Sequence, residues 1–79
     1  MRVLFFAQVK DAVGLAECVV PVSGAMGIDG VWDRLIAAQP KLAPFRKATR
    51  LARNGEYADA KTIFTDADDV ALIPPVSGG

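Results

Sequence analysis

A chain of 79 residues has room for one small domain, whose modest buried surface leaves little space for an internal catalytic cavity. Its composition is 52% hydrophobic, which calls for a packed core and excludes disorder. Nine basic residues balance nine acidic ones, so no global field draws nucleic acid or an anionic membrane.

Histidine is absent and cysteine occurs once, which removes the commonest metal ligand and general base together with any internal disulfide. The opening MRVLFFAQVKDAVG has neither the apolar run nor the cleavage site of a signal peptide. No segment approaches the roughly 20 apolar residues of a membrane span. A cytoplasmic protein is expected.

In RVLFFAQ, Val3, Phe5 and Ala7 alternate with Leu4, Phe6 and Gln8, and both sets are largely apolar; this predicts a strand covered on both faces. VKDAVG adds one short helical turn closed by Gly14. ECVVPV is a second strand, with Pro21 at an edge or an end because proline cannot donate to a ladder. SGAMG is a loop. From Ile28 the spacing turns helical, through Val31, Trp32, Leu35 and Ile36, until Pro40 stops it. Asp29 suits the positive end of that helix. Gly27 offers no side chain to cap it, and Gly30 costs about 1 kcal/mol relative to alanine.

PKLAPFRKA is irregular, with a turn of helix around 43–47. TRLARNGEYA reads as two short strands joined by Asn54-Gly55, the dipeptide a type I′ hairpin prefers. DAKTIFTDADD is a turn-rich connection, and VALI is the last strand, ended by Pro74 and Pro75. These elements predict an α+β domain over 1–73, a mixed sheet of about five short strands packed on one main helix, followed by an extended tail over 74–79.

The tail, PPVSGG, ends in Gly78-Gly79, which offer a folded domain no side chain to bury. Extended, it reaches roughly 20 Å. Its prolines fix φ in advance and so lower the entropy lost when the reach is ordered. Gly78 and Gly79 lack a Cβ and can pass a channel too narrow for other residues. The plain alternative is a frayed terminus with accidental glycines.

VLFFAQVKDAVG near the start, NGEY in the middle and DADDVALIPPVSGG at the end resemble the small, sulfur-carrying subunits of molybdopterin synthase, a family with the ubiquitin-like β-grasp fold. A Gly-Gly ending alone is shared with ubiquitin-like modifiers and the thiamine-pathway carrier; PPVSGG after an acidic turn and an apolar strand narrows the match. The resemblance implies that the Gly79 carboxylate is adenylated by an E1-like enzyme using ATP and magnesium. A sulfur donor protein then converts it to a thiocarboxylate. The thiocarboxylate donates sulfur to a pterin precursor in the large subunit, within a heterotetramer.

Pro74, Pro75, Val76, Ser77 and Gly78 would thread into that partner, and this chain, not an enzyme on its own, would bind no cofactor or metal. Three alternatives stay open: a carrier for thiamine or cysteine synthesis, a protein modifier linked through Gly79 to lysines, and an interaction module with an idle tail.

If Val3, Phe5, Val70 and Leu72 face the helix, alternation places Leu4, Phe6, Ala71 and Ile73 on the opposite face. That face would be an apolar partner surface beside the tail; a reversed register would exchange the two sets. Cys18, in an apolar strand, reads as a buried, inert thiol rather than a stored persulfide. Asp66, Asp68 and Asp69 lack the glycine and the distal glutamate of a calcium loop and read as a solvated turn. Lys41, Arg46, Lys47, Arg50 and Arg53 have only Phe45 among them, too few aromatics for an RNA site, and read as a solvated face or a docking surface for an acidic partner. Trp32 reads as core or half-core rather than a ligand contact.

Overall fold

The structure, a computed structural model, describes residues 1–75. Strand β1 (Arg2–Phe5) leads into a short helix α1 (Ala7–Val13), then β2 (Glu17–Val19), the main helix α2 (Ile28–Ala38) and a 3-10 segment (Pro40–Phe45). Strands β3 (Arg50–Arg53), β4 (Glu56–Tyr57) and β5 (Asp69–Ile73) complete the chain order. In the sheet the order is β2-β1-β5-β3-β4. The two central strands, β1 and β5, are parallel and every other pairing is antiparallel. This is the mixed five-stranded sheet that the residue pattern predicts.

Alternation sorts the sheet's two faces as expected. Val3, Phe5, Val70 and Leu72 are buried with Val31, Trp32 and Leu35 of α2, all at 3% exposure or less. Each such side chain contributes about 1.5–3 kcal/mol through burial. The register is the one that turns Leu4, Phe6, Ala71 and Ile73 outward, and Trp32 is core.

Local chemistry explains the element ends. Gly14, at φ 82°, closes α1 and donates its N–H to the Lys10 carbonyl. The hairpin turn has positive φ at both Asn54 (50°) and Gly55 (88°), as a type I′ turn requires, and pairs Arg53 with Glu56. Helix α2 begins at Gly27 without a side-chain cap. Gly30 is explained by crowding: a Cβ there would lie 3.1 Å from the Met26 Cβ, so glycine lets the preceding loop pack on the helix's first turn.

The 3-10 segment begins earlier than the 43–47 turn expected from the sequence, because Leu42, fully buried, pins it to the core. The larger departures lie in the connection from β4 to β5. Phe64 is fully buried, and it exchanges two backbone hydrogen bonds with Met26, of 3.0 and 2.8 Å. The acidic turn is a clasp and not merely solvated. Asp66 Oδ1 accepts from the chain's α-ammonium at 2.9 Å and from the Val22 N–H at 3.0 Å. Asp68 accepts from the Thr65 N–H and from the Asn54 amide, at 2.8 and 2.9 Å, while Asn54 Oδ1 accepts from the Asp69 N–H at 2.9 Å.

The bond from the chain's α-ammonium, then that from the Val22 N–H, holds the Asp66 carboxyl below its usual range. The Thr65 N–H, then the Asn54 amide, does the same at Asp68. Arg53, on the inward side of the hairpin, donates to the Ile63 carbonyl and ties the connection to β3.

Candidate functional site

Because β1 and β5 run parallel with Phe5 beside Leu72, the end of β1 lies next to the point where the chain leaves the sheet. The outward residues of the two strands come together there. Leu4, Ala71 and Ile73 are half-buried and Phe6 is 47% exposed; Val19, on β2 beside Arg2, is 75% exposed. Across β5, Arg50 pairs with Ile73, and its guanidinium carbon sits 4.0 Å from the centroid of the exposed Tyr57 ring, a cation–π contact. At the other end of the face, Arg2 lies between Glu17 (2.7 Å) and Asp69 (3.7 Å). An apolar centre with a charged rim has the make-up of a protein interface. Phe6, Ile73 and Leu4, the candidate interface residues, are thus brought to one face.

Of the candidate tail residues, Pro74 is buried in the domain and Pro75 is exposed. The exposed part of the tail therefore starts at Pro75, where Gln8 of α1 donates from Nε2 to the Pro75 carbonyl at 3.4 Å. Val76, Ser77, Gly78 and Gly79 lie outside the described residues. Two contacts here had no expectation from the sequence, Gln8 to Pro75 and Arg50 over Tyr57. The first joins residues 67 positions apart, and no local spacing announces such a pair.

Other candidates resolve into structure. Cys18 is half-buried rather than fully buried, and pairs with Val3. Burial pushes its thiol up, which keeps it from the thiolate form that reacts. Arg46 donates to Asp33 at 2.9 Å and to the Asp29 carbonyl and carboxylate at 3.4 and 3.5 Å, tying the 3-10 segment to α2. With Arg53 on the Ile63 carbonyl and Arg50 on Tyr57, three of the five cations in the basic stretch serve contacts within the domain. The other two, Lys41 and Lys47, are exposed. A cleft of about 290 Å³ beside α2 is lined by Ile28, Asp29, Trp32, Arg46 and Thr49 among others, on the helix side of the sheet. Among the described residues, no three His, Cys, Asp or Glu side chains are grouped to hold a metal ion, and no helix is long and apolar enough to cross a membrane.

Against known proteins, the ThiS family model matches residues 3–79. A molybdopterin synthase sulfur carrier subunit of Chlamydomonas reinhardtii is 33% identical over 81 aligned residues, covering 100% of this chain and 98% of that one. Among solved structures, SAMP1 from Haloferax volcanii superposes with a TM-score of 0.85 at 30% identity, covering 100% of this chain and 98% of that one. A structure of H. volcanii small archaeal modifier protein 1 gives 0.83 at 28% identity, covering 96% and 97%.

Proposed function

The chain belongs to the ThiS family, and from that premise we propose that it is the sulfur carrier of a molybdopterin synthase. The observation that carries the reading is the placement of the tail: it leaves the sheet at the edge of an exposed apolar face, on a domain whose family match runs to residue 79. A domain of this kind docks by its face and delivers the tail. The relatives named as synthase subunits support the large subunit as the docking partner.

The tail's chemistry follows from its carboxylate. A free carboxylate is a poor electrophile, because oxide would have to leave. Attack of the Gly79 carboxylate on the α-phosphorus of ATP releases pyrophosphate and makes an acyl-adenylate. Sulfur at the sulfide level then displaces AMP and leaves a thiocarboxylate, whose soft anionic sulfur is the nucleophile toward the pterin precursor. ATP and magnesium belong to the adenylating enzyme, the sulfur comes from a donor protein, and the acids and bases of the transfer belong to the large subunit. These steps suit a chain without histidine and place it in the cytoplasm with its partners.

Intact-mass analysis of the protein from cells that make molybdenum cofactor tests the reading. The expected species has one oxygen replaced by one sulfur, localised to the terminal peptide; an unmodified terminus throughout would overturn it. The docking face has its own test. Phe6→Asp is expected to weaken large-subunit binding at least tenfold, as hot-spot losses of about 1.4 kcal/mol or more do. It should barely move the unfolding midpoint, because Phe6 is 47% exposed. Equal losses of stability and binding would place Phe6 in the core instead.

A second reading draws support from the modifier named in the solved structures: Gly79 joined to lysine amines of other proteins. Denaturing immunoblots separate the two, since a modifier yields a ladder of covalent conjugates that is absent when Gly79 is deleted.

A further inference from the structure

We propose that Gln8 is a positioning residue for the C-terminal tail: its side-chain amide holds the Pro75 carbonyl and sets the direction in which the tail leaves the domain. The purpose of this contact rests on the sulfur-carrier reading, while the contact itself stands on geometry. Gln8 Nε2 lies 3.4 Å from the Pro75 oxygen. Proline has no N–H and its carbonyl only accepts, so the amide nitrogen is the donor by necessity.

The backbone before Gln8 is shaped to bring it there. Ala7 has φ 50°, a left-handed conformation that a residue with a Cβ keeps only where its surroundings enforce it. This sharp turn directs the Val9 and Lys10 N–H groups onto the Phe6 carbonyl, at 3.1 and 3.2 Å, and drops Val9 into the core at 0% exposure. Phe6 and Gln8 stay outside. Since Phe5 is in register with Leu72, the first turn of α1 stands beside the residues that follow β5. Pro74 is buried, so Pro75 is the first residue a surface side chain can steer.

A tail held at its root has fewer directions to lose when it enters a partner's channel, and such preorganisation appears as affinity. A single long, exposed hydrogen bond is worth about fivefold, the equivalent of roughly 1 kcal/mol.

Gln8→Glu keeps the side-chain shape and removes both N–H donors; Gln8→Lys restores a donor of similar reach. Two measurements on the full chain decide the matter, with unfolding midpoints expected to agree among all three proteins because Gln8 is exposed. The carbonyl carbon of Pro75, observed by NMR through the amide that follows it, should move upfield in Gln8→Glu and return toward the wild-type position in Gln8→Lys. In ATP-dependent adenylation by the E1-like enzyme, Gln8→Glu should raise the KM for the carrier about fivefold with kcat unchanged, and Gln8→Lys should recover most of it. A Pro75 carbonyl resonance unmoved in Gln8→Glu would overturn the contact, and an unmoved KM would overturn its role. Failure of the wild-type chain itself to be adenylated at Gly79 would defeat both the carrier reading and the role of Gln8 in it; the carbonyl resonance would then still decide the contact.

Discussion

Deletion of Gly79 is expected to yield a protein that folds, binds the large subunit and delivers no sulfur. The change moves the terminal carboxylate back by one residue, about 3.3 Å along an extended chain. Reaction geometry tolerates far less, since misplacement by about 1 Å can cost roughly a hundredfold in rate. A residue added after Gly79 should do equal harm, because the carboxylate is displaced outward and a Cβ enters at a position that glycine leaves bare. None of the contacts that hold residues 1–75 together is touched by either change, so the unfolding midpoint and the docking affinity should match those of the parent. The synthase is reconstituted with each variant after adenylation and sulfuration, and dithiolene product is measured. Turnover near the parent's from a shortened or lengthened tail would remove the terminal carboxylate from the mechanism.

Phe64→Ala should be the most damaging single substitution in the connection between β4 and β5, at about 3–5 kcal/mol. The ring is fully buried and the backbone beside it is bonded both ways to Met26. Truncation would open a cavity between the loop that precedes α2 and the sheet. The stability of a domain of 79 residues is about 4–12 kcal/mol at the usual 0.05–0.15 kcal/mol per residue, so the loss ranges from a quarter of the total to all of it. The neighbouring Ile63, 48% exposed, provides the comparison: Ile63→Ala should stay within about 0.5 kcal/mol. Urea unfolding measures both, and Phe64→Leu, which keeps much of the volume, secures a folded variant should alanine abolish folding. Losses of similar size at 63 and 64 would mean that the connection is not anchored by the ring.

The two positions also show how far local sequence reaches. Phe64 sits beside Ile63 in a run otherwise of Asp, Thr, Lys and Ala that follows neither a two-residue nor a 3.6-residue period, so nothing local marked which of the two is core. The same holds for Asp66 and Asp68. As letters they make a polar turn; in the fold their acceptors face the chain's α-ammonium, Val22, Thr65 and Asn54. The basic stretch is a solvated face, as read. The partners of three of its members, Asp29 and Asp33 for Arg46, the Ile63 carbonyl for Arg53 and the Tyr57 ring for Arg50, could not be read from a run of like charges.

What the sequence determined by itself are the features whose cause is local. The period of Ile28, Val31, Trp32 and Leu35 specifies α2. Asn54-Gly55 specifies the hairpin, since few other residues tolerate positive φ at both positions. Gly14 specifies the end of α1, and the alternation of Val3 and Phe5 with Leu4 and Phe6 specifies two faces. Pro74-Pro75 specify where the last strand stops, since proline cannot donate to a ladder.

Which face turned inward was left to the tertiary structure, because both sets are apolar and only the helix laid across the sheet distinguishes them. The parallel pairing of β1 with β5, which joins the two ends of the chain and sets Gln8 beside Pro75, was likewise decided there. Backbone geometry repeats over two to four residues and leaves its mark at that spacing. A pairing across nearly the whole chain is selected by the burial of the core as a unit, and that leaves no mark at any one place.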